Sequence, residues 1–168
     1  MRLKYLPIVA GALSLFIGLV SWAVMSPVGS SPDDGYHLGS IYCGLGEREG
    51  LCEPSGGSAL LLPPQLFDAC FLEKEATPSC QGENFGVDVK PTFEAPRLNL
   101  QTGYNPPLFY AVMSTFASPQ VVLSVLAMRI FNAFLFVGLL VSLIALTGDK
   151  LRRALIVGTV AKIGRAHV

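Results

Sequence analysis

A chain of 168 residues that is 51% hydrophobic and 14% charged, with a mean hydropathy of +0.52, has the balance of a polytopic membrane protein and not of an ordinary soluble domain. Its formal charge of zero conceals an asymmetry, because Pro27 to Gln120 holds eleven acidic residues against four basic ones and Asp149 is the one acid elsewhere. That acidic stretch lacks the clustered Lys and Arg that phosphate neutralisation requires, so no nucleic-acid partner is expected.

The run Tyr5–Met25 carries no charge. At about 1.5 Å per residue it covers the ~30 Å hydrocarbon core of a bilayer, which predicts a transmembrane helix over 5–26. Residues 1–4, with Arg2 and Lys4, form a short basic flank. A cleaved signal peptide is the alternative, but the apolar part is longer than a signal core and no small-x-small site precedes Pro27, so an uncleaved signal anchor is expected. Gly11, Ser14, Gly18 and Ser21 recur at helical spacing, which suits close packing against another membrane helix or reflects how common such residues are there. Trp22 sits where an interfacial aromatic belongs.

Residues 27–118 form a long loop. The basic flanks Arg2, Lys4, Lys150, Arg152 and Arg153 read as cytoplasmic, so the loop faces outward, to the periplasm or cell exterior. Pro32-Asp33-Asp34-Gly35-Tyr36-His37 opens it with an acidic pair just outside the first span. Two such carboxylates can share a divalent cation, Mg or Mn, through hard oxygens, or one can act as general base while the other orients it. A helix beginning near Asp34 would put His37 on the same face, adding a second proton-handling group. Asp-Asp-Gly is equally an ordinary turn.

Cys43, Cys52, Cys70 and Cys80 all lie in this loop, and an even count in an oxidising compartment favours disulfides. Three pairings exist. The sequence-local one, Cys43 with Cys52 and Cys70 with Cys80, is preferred because each bridge would staple one excursion of the loop. A metal site is the rival, but no C-x-x-C pair is present. Pro63–Leu72 predicts one surface helix, and Glu73–Asn99 offers only turn residues and isolated apolar positions.

Asn105-Pro106-Pro107-Leu108-Phe109-Tyr110 predicts a helix over about 106–116, with Asn105 as N-cap and Pro106 as first helical residue. Its apolar face suits the membrane interface, or else burial in the loop domain. Ser118-Pro119 repeats the cap-and-proline device ahead of a second span over 119–147 that ends at Gly148. Arg129 lies some ten residues into it, at a depth of about 15 Å, with Asn132 one turn on. An arginine there faces a bundle interior or a water-filled cavity and marks a functional site, or the helix protrudes and it lies among head groups. Residues 148–153 form a cytoplasmic loop and 154–162 begin a third span. Residues 163–168, Ile163 to Val168, are what ATC-GGA-AGA-GCA-CAC-GTC encodes, a likeness to a sequencing adapter, so further spans are expected beyond Lys162 and His167 carries no functional weight.

The order of signal anchor, Pro-Asp-Asp-x-x-His, outward loop and Asn-Pro-Pro-Leu-Phe-Tyr ahead of an Arg-bearing span resembles bacterial predicted membrane proteins grouped as a domain of unknown function (DUF2142). That family is in turn similar to the GT-C superfamily of polytopic glycosyltransferases. The resemblance implies an all-α membrane protein, the N-terminal part of a GT-C-like helical bundle with a large exocytoplasmic first loop. It implies a multi-pass cell-membrane glycosyltransferase that uses a polyprenyl-phosphate sugar for cell-envelope glycan, with Asp33 and Asp34 as base or metal ligands and His37 beside them. Arg129 extends this as a contact to the donor phosphate, since a guanidinium binds phosphate oxygens bidentately. A non-enzymatic transporter subunit or envelope assembly factor, with Asp33-Asp34 only a turn, is the competing expectation.

Overall fold

The computed structural model describes residues 6–30, 33–57, 59–68, 70, 78–95, 97–102 and 105–147. The expectations for residues 1–4, Tyr5, Pro32 and everything from Gly148 on, including 148–153, 154–162 and 163–168, lie outside them. Two compact units divide the chain, one gathering residues up to Ser21 with those from Ile130 on, the other running from Trp22 to Arg129.

The first unit consists of most of two long helices, α1 (Leu6–Met25) and α4 (Val121–Leu146). Both are long and apolar enough to cross a membrane, with 20 and 26 residues and a mean hydropathy of 2.2. They lie within the spans expected at 5–26 and 119–147. Uninterrupted apolar sequence leaves no alternative partner for the backbone except itself, which is what a helix supplies in lipid. The small-residue face of α1 is open: a Cβ at Gly11 or Gly18 would meet nothing within 4 Å.

The second unit is built on α2 (Asp34–Tyr42). Asp33 holds the N-cap position with its backbone, and Asp34 places a carboxylate in the first turn, where the helix dipole favours negative charge. Leu38, Ile41 and Tyr42 are buried, and Gly39 lets the helix approach its neighbours, since a Cβ there would come within 2.9 Å of Leu98 and 3.1 Å of Leu62. Tyr42, Tyr110, Leu62, Leu66, Leu98 and Val121 are the largest fully buried side chains apart from Pro63.

The all-α expectation needs correcting here, because the loop also folds a small antiparallel sheet of β1 (Glu53–Pro54), β2 (Leu60–Leu62) and β3 (Phe93–Ala95), in the order β1-β2-β3. Glu53 pairs with Leu61, and Leu61 with Glu94. Strands this short show no alternation to read, and β2 is three successive leucines of which only Leu62 is fully buried. Of the surface helix expected over Pro63–Leu72, the described residues form a 3-10 turn, Pro64–Leu66, that buries Leu66, while Ala69, Phe71 and Leu72 lie outside them. Further 3-10 turns cover Pro78–Asn84 and Asn99–Thr102.

α3 (Pro107–Ser114) starts one residue later than expected, with Pro106 and not Asn105 at the N-cap. One face, Tyr110, Met113 and Ser114, is buried and packs toward α2, while Leu108 and Phe109 are exposed at 74% and 45%. α4 begins three residues past Ser118, which meets its first turn through Ser124: the Ser124 hydroxyl accepts from the Ser118 amide at 2.9 Å and lies 2.8 Å from the Ser118 hydroxyl. Disulfides join Cys43 to Cys52 and Cys70 to Cys80, with Cα–Cα separations of 5.4 and 6.1 Å.

Candidate functional site

The acidic pair divides at the start of α2. Asp33 is exposed and makes no side-chain capping bond, although its carbonyl accepts from the His37 amide at 3.2 Å. Asp34, the first residue inside the helix, turns its Oδ2 toward the Arg129 guanidinium, 3.9 Å from Nη2. The two side chains are roughly a quarter exposed, so the pair is neither open to bulk water nor sealed from it.

Arg129 does more than face that carboxylate. Its Nη1 donates to the carbonyls of Ser26 and Ala23, the latter at 3.4 Å, and its Nη2 donates to Pro27 at 3.1 Å. These oxygens belong to the last turn of α1 and the residues just after it, where a helix leaves its carbonyls without intrahelical partners. A cation is favoured there by the dipole, and the fork of a guanidinium meets several acceptors at once. The arginine that sequence depth marks as unusual thus joins the end of α1 to the first turn of α2.

One turn along α2 from Asp34, His37 Nδ1 lies 3.0 Å from the Tyr110 hydroxyl, with either partner donating according to the imidazole tautomer. Tyr110 is 1% exposed, and burial pushes its phenol up from the ordinary value, keeping it a neutral hydroxyl. Asp34 with Arg129 and His37 with Tyr110 are therefore two polar pairs launched from one face of a nine-residue helix. Asp33 takes no part in either contact.

Beside Arg129 a cavity of about 590 Å³ opens between the end of α1 and the start of α4, walled by Val24, Met25, Phe85, Val122 and Leu126 with Gln81 at its rim. Its size is that of a small-molecule site, and its lining is mostly apolar.

Asp33 and Asp34 are the oxygen donors that a divalent cation would use here, and magnesium characteristically adds waters and phosphate oxygens to one or two carboxylates. Asp34 also faces the Arg129 guanidinium, and among the described residues no three His, Cys, Asp or Glu side chains come together.

Tyr110 was not singled out as a site residue in the sequence. Its signal is a phenol among the apolar residues Leu108, Phe109, Val112 and Met113, on the side that becomes buried.

The family described as a predicted membrane protein (DUF2142) matches residues 15–162, from within the first span to beyond the second. Among the curated proteins and among the solved structures nothing matches.

Proposed function

We propose a group-transfer role at a membrane surface for this chain, which belongs to the DUF2142 family of predicted membrane proteins. The reaction we infer is glycosyl transfer from a polyprenyl-phosphate sugar to a cell-envelope acceptor. The observation that carries the reading is the pairing of Asp34 with Arg129 and of His37 with Tyr110, both launched from one turn and the next of α2.

In this reading the loop lies outside the cell membrane, where a lipid-linked donor is available and nucleotide sugars are not. Asp34 or Asp33 accepts the proton of an acceptor hydroxyl as its oxygen bonds to the anomeric carbon. The bond from that carbon to the lipid phosphate breaks, and the phosphate departs with the electron pair. His37 and Tyr110 form a short path along which a proton can be held or passed. The apolar cavity beside Arg129 suits the lipid portion of the donor, and the guanidinium at its edge suits the phosphate.

In the full-length protein, Asp34→Asn and Asp33→Asn should each abolish incorporation of sugar into cell-envelope glycan while leaving membrane abundance unchanged. Glycan at the wild-type level in both variants rules out the enzyme reading of this pair.

One observation favours a second reading, a non-enzymatic transporter subunit or envelope assembly factor. Asp34 and Arg129 are already engaged with each other, as a pair that only fastens two helices would be. In that case Asp34→Asn and Arg129→Gln lower membrane abundance together and leave glycan per molecule unchanged.

A further inference from the structure

Arg48 lies in the ten-residue segment closed by the Cys43–Cys52 bridge and is remote in sequence from the acidic pair. Its backbone is fixed on both sides, since its amide donates to the Cys52 carbonyl at 2.7 Å and its carbonyl accepts from the Cys52 amide at 2.9 Å. From that base the guanidinium reaches two helix ends. Nη2 donates to the Tyr42 carbonyl, the last residue of α2, at 2.9 Å and to the Ser114 hydroxyl at 2.6 Å, while Nη1 donates to the Ser114 carbonyl, the last residue of α3, at 3.3 Å.

α2 carries His37 and α3 carries Tyr110, so this fork holds together the C-termini of the two helices whose side chains meet 3.0 Å apart. The backbones are also in close register nearby, because a Cβ at Gly44 would stand 2.5 Å from the Tyr110 carbonyl oxygen. A guanidinium suits the task on two counts. It is a cation at two helix C-termini, where the dipoles of both helices favour it, and its planar fork fixes the direction between acceptors as a lysine ammonium does not.

We propose that Arg48 is a positioning residue that sets the His37–Tyr110 contact by clamping α2 to α3, with the Cys43–Cys52 bridge holding the clamp in place. The inference rests on the site proposed above only for the use made of that contact. The measurement reads the contact itself.

The full chain, purified in detergent with isotope-labelled histidine, contains two histidines, His37 and His167, and a His167→Gln background leaves the first alone. Tyr110→Phe fixes where the His37 Nδ1 resonance lies when the hydrogen bond is gone. Arg48→Met and Arg48→Lys should both move the resonance to that position. Ser114→Ala, which removes the hydroxyl acceptor and leaves the Ser114 carbonyl in place, should move it part of the way. A resonance that stays at its wild-type position in Arg48→Met and Ser114→Ala, with or without a lowered melting temperature, overturns the proposal and leaves Arg48 a purely stabilising residue. Lost glycan synthesis in Tyr110→Phe bears on the proposed reaction and not on the clamp.

Discussion

Single side chains in this protein do their work at helix ends. Arg129 and Arg48 both spend their guanidinium donors on carbonyls that a helix cannot satisfy itself, and each then reaches one further acceptor, Asp34 or the Ser114 hydroxyl. Tyr42 shows the same economy with a phenol: fully buried, it donates to the Ser118 carbonyl at 3.0 Å and so ties the end of α2 to the approach of α4. Burial pushes the Tyr42 phenol up to about 12. Because the folded state holds this proton more tightly than the unfolded chain, the stabilisation is complete below pH ~10 and is lost as pH rises toward 12. Two pH units of difference correspond to about 3 kcal/mol, enough to unfold a marginal domain. Denaturant unfolding in detergent should therefore fall steeply between these pH values, and Tyr42→Phe should flatten the fall while costing about 1 kcal/mol at neutral pH for the lost hydrogen bond. An equally steep fall in Tyr42→Phe would refute the assignment.

At the scale of elements, the α2–α3 pair is what brings the site residues together, and Gly44 is its tightest point. Gly44→Ala places a methyl group against the Tyr110 backbone, which has no flexible end to move aside. The expected cost is about 1–3 kcal/mol, with the loss of the His37–Tyr110 contact, and melting of the variant in detergent checks it. How far such an arrangement is legible in a sequence depends on the range of its causes. The two long apolar helices are legible because an unbroken apolar run is a local signal, and Asn-Pro-Pro, local as well, marks the start of α3 to within one residue, whereas Asp-Asp-Gly fits a turn as well as the start of α2. His37 and Tyr110 are separated by 73 residues and the Arg129 bond to Ser26 spans 103, and no local pattern announces a contact at that range. The sheet escaped for a different reason, since strands of two or three residues are shorter than any period that could mark them. Arg129 drew notice by its depth alone, and the phosphate role that depth suggested did not foresee the carbonyls of α1 as its partners.

On the scale of the whole molecule, the proposed orientation puts the unit from Trp22 to Arg129 on the outer side of the membrane. Gly57 is exposed, with nothing within 4 Å of a Cβ placed there, so Gly57→Cys is a quiet reporter of sidedness. It should react with a membrane-impermeant maleimide in intact cells, and the native cysteines, held in disulfides, should not. Labelling only after the cells are opened would put the loop, and with it the proposed chemistry, on the wrong side for a lipid-linked donor. The fastening of Arg129 to the carbonyls of Ala23, Ser26 and Pro27 has one more effect. Asp34 is tied to the same guanidinium, so Arg129→Gln releases the carboxylate and the end of α1 in a single substitution.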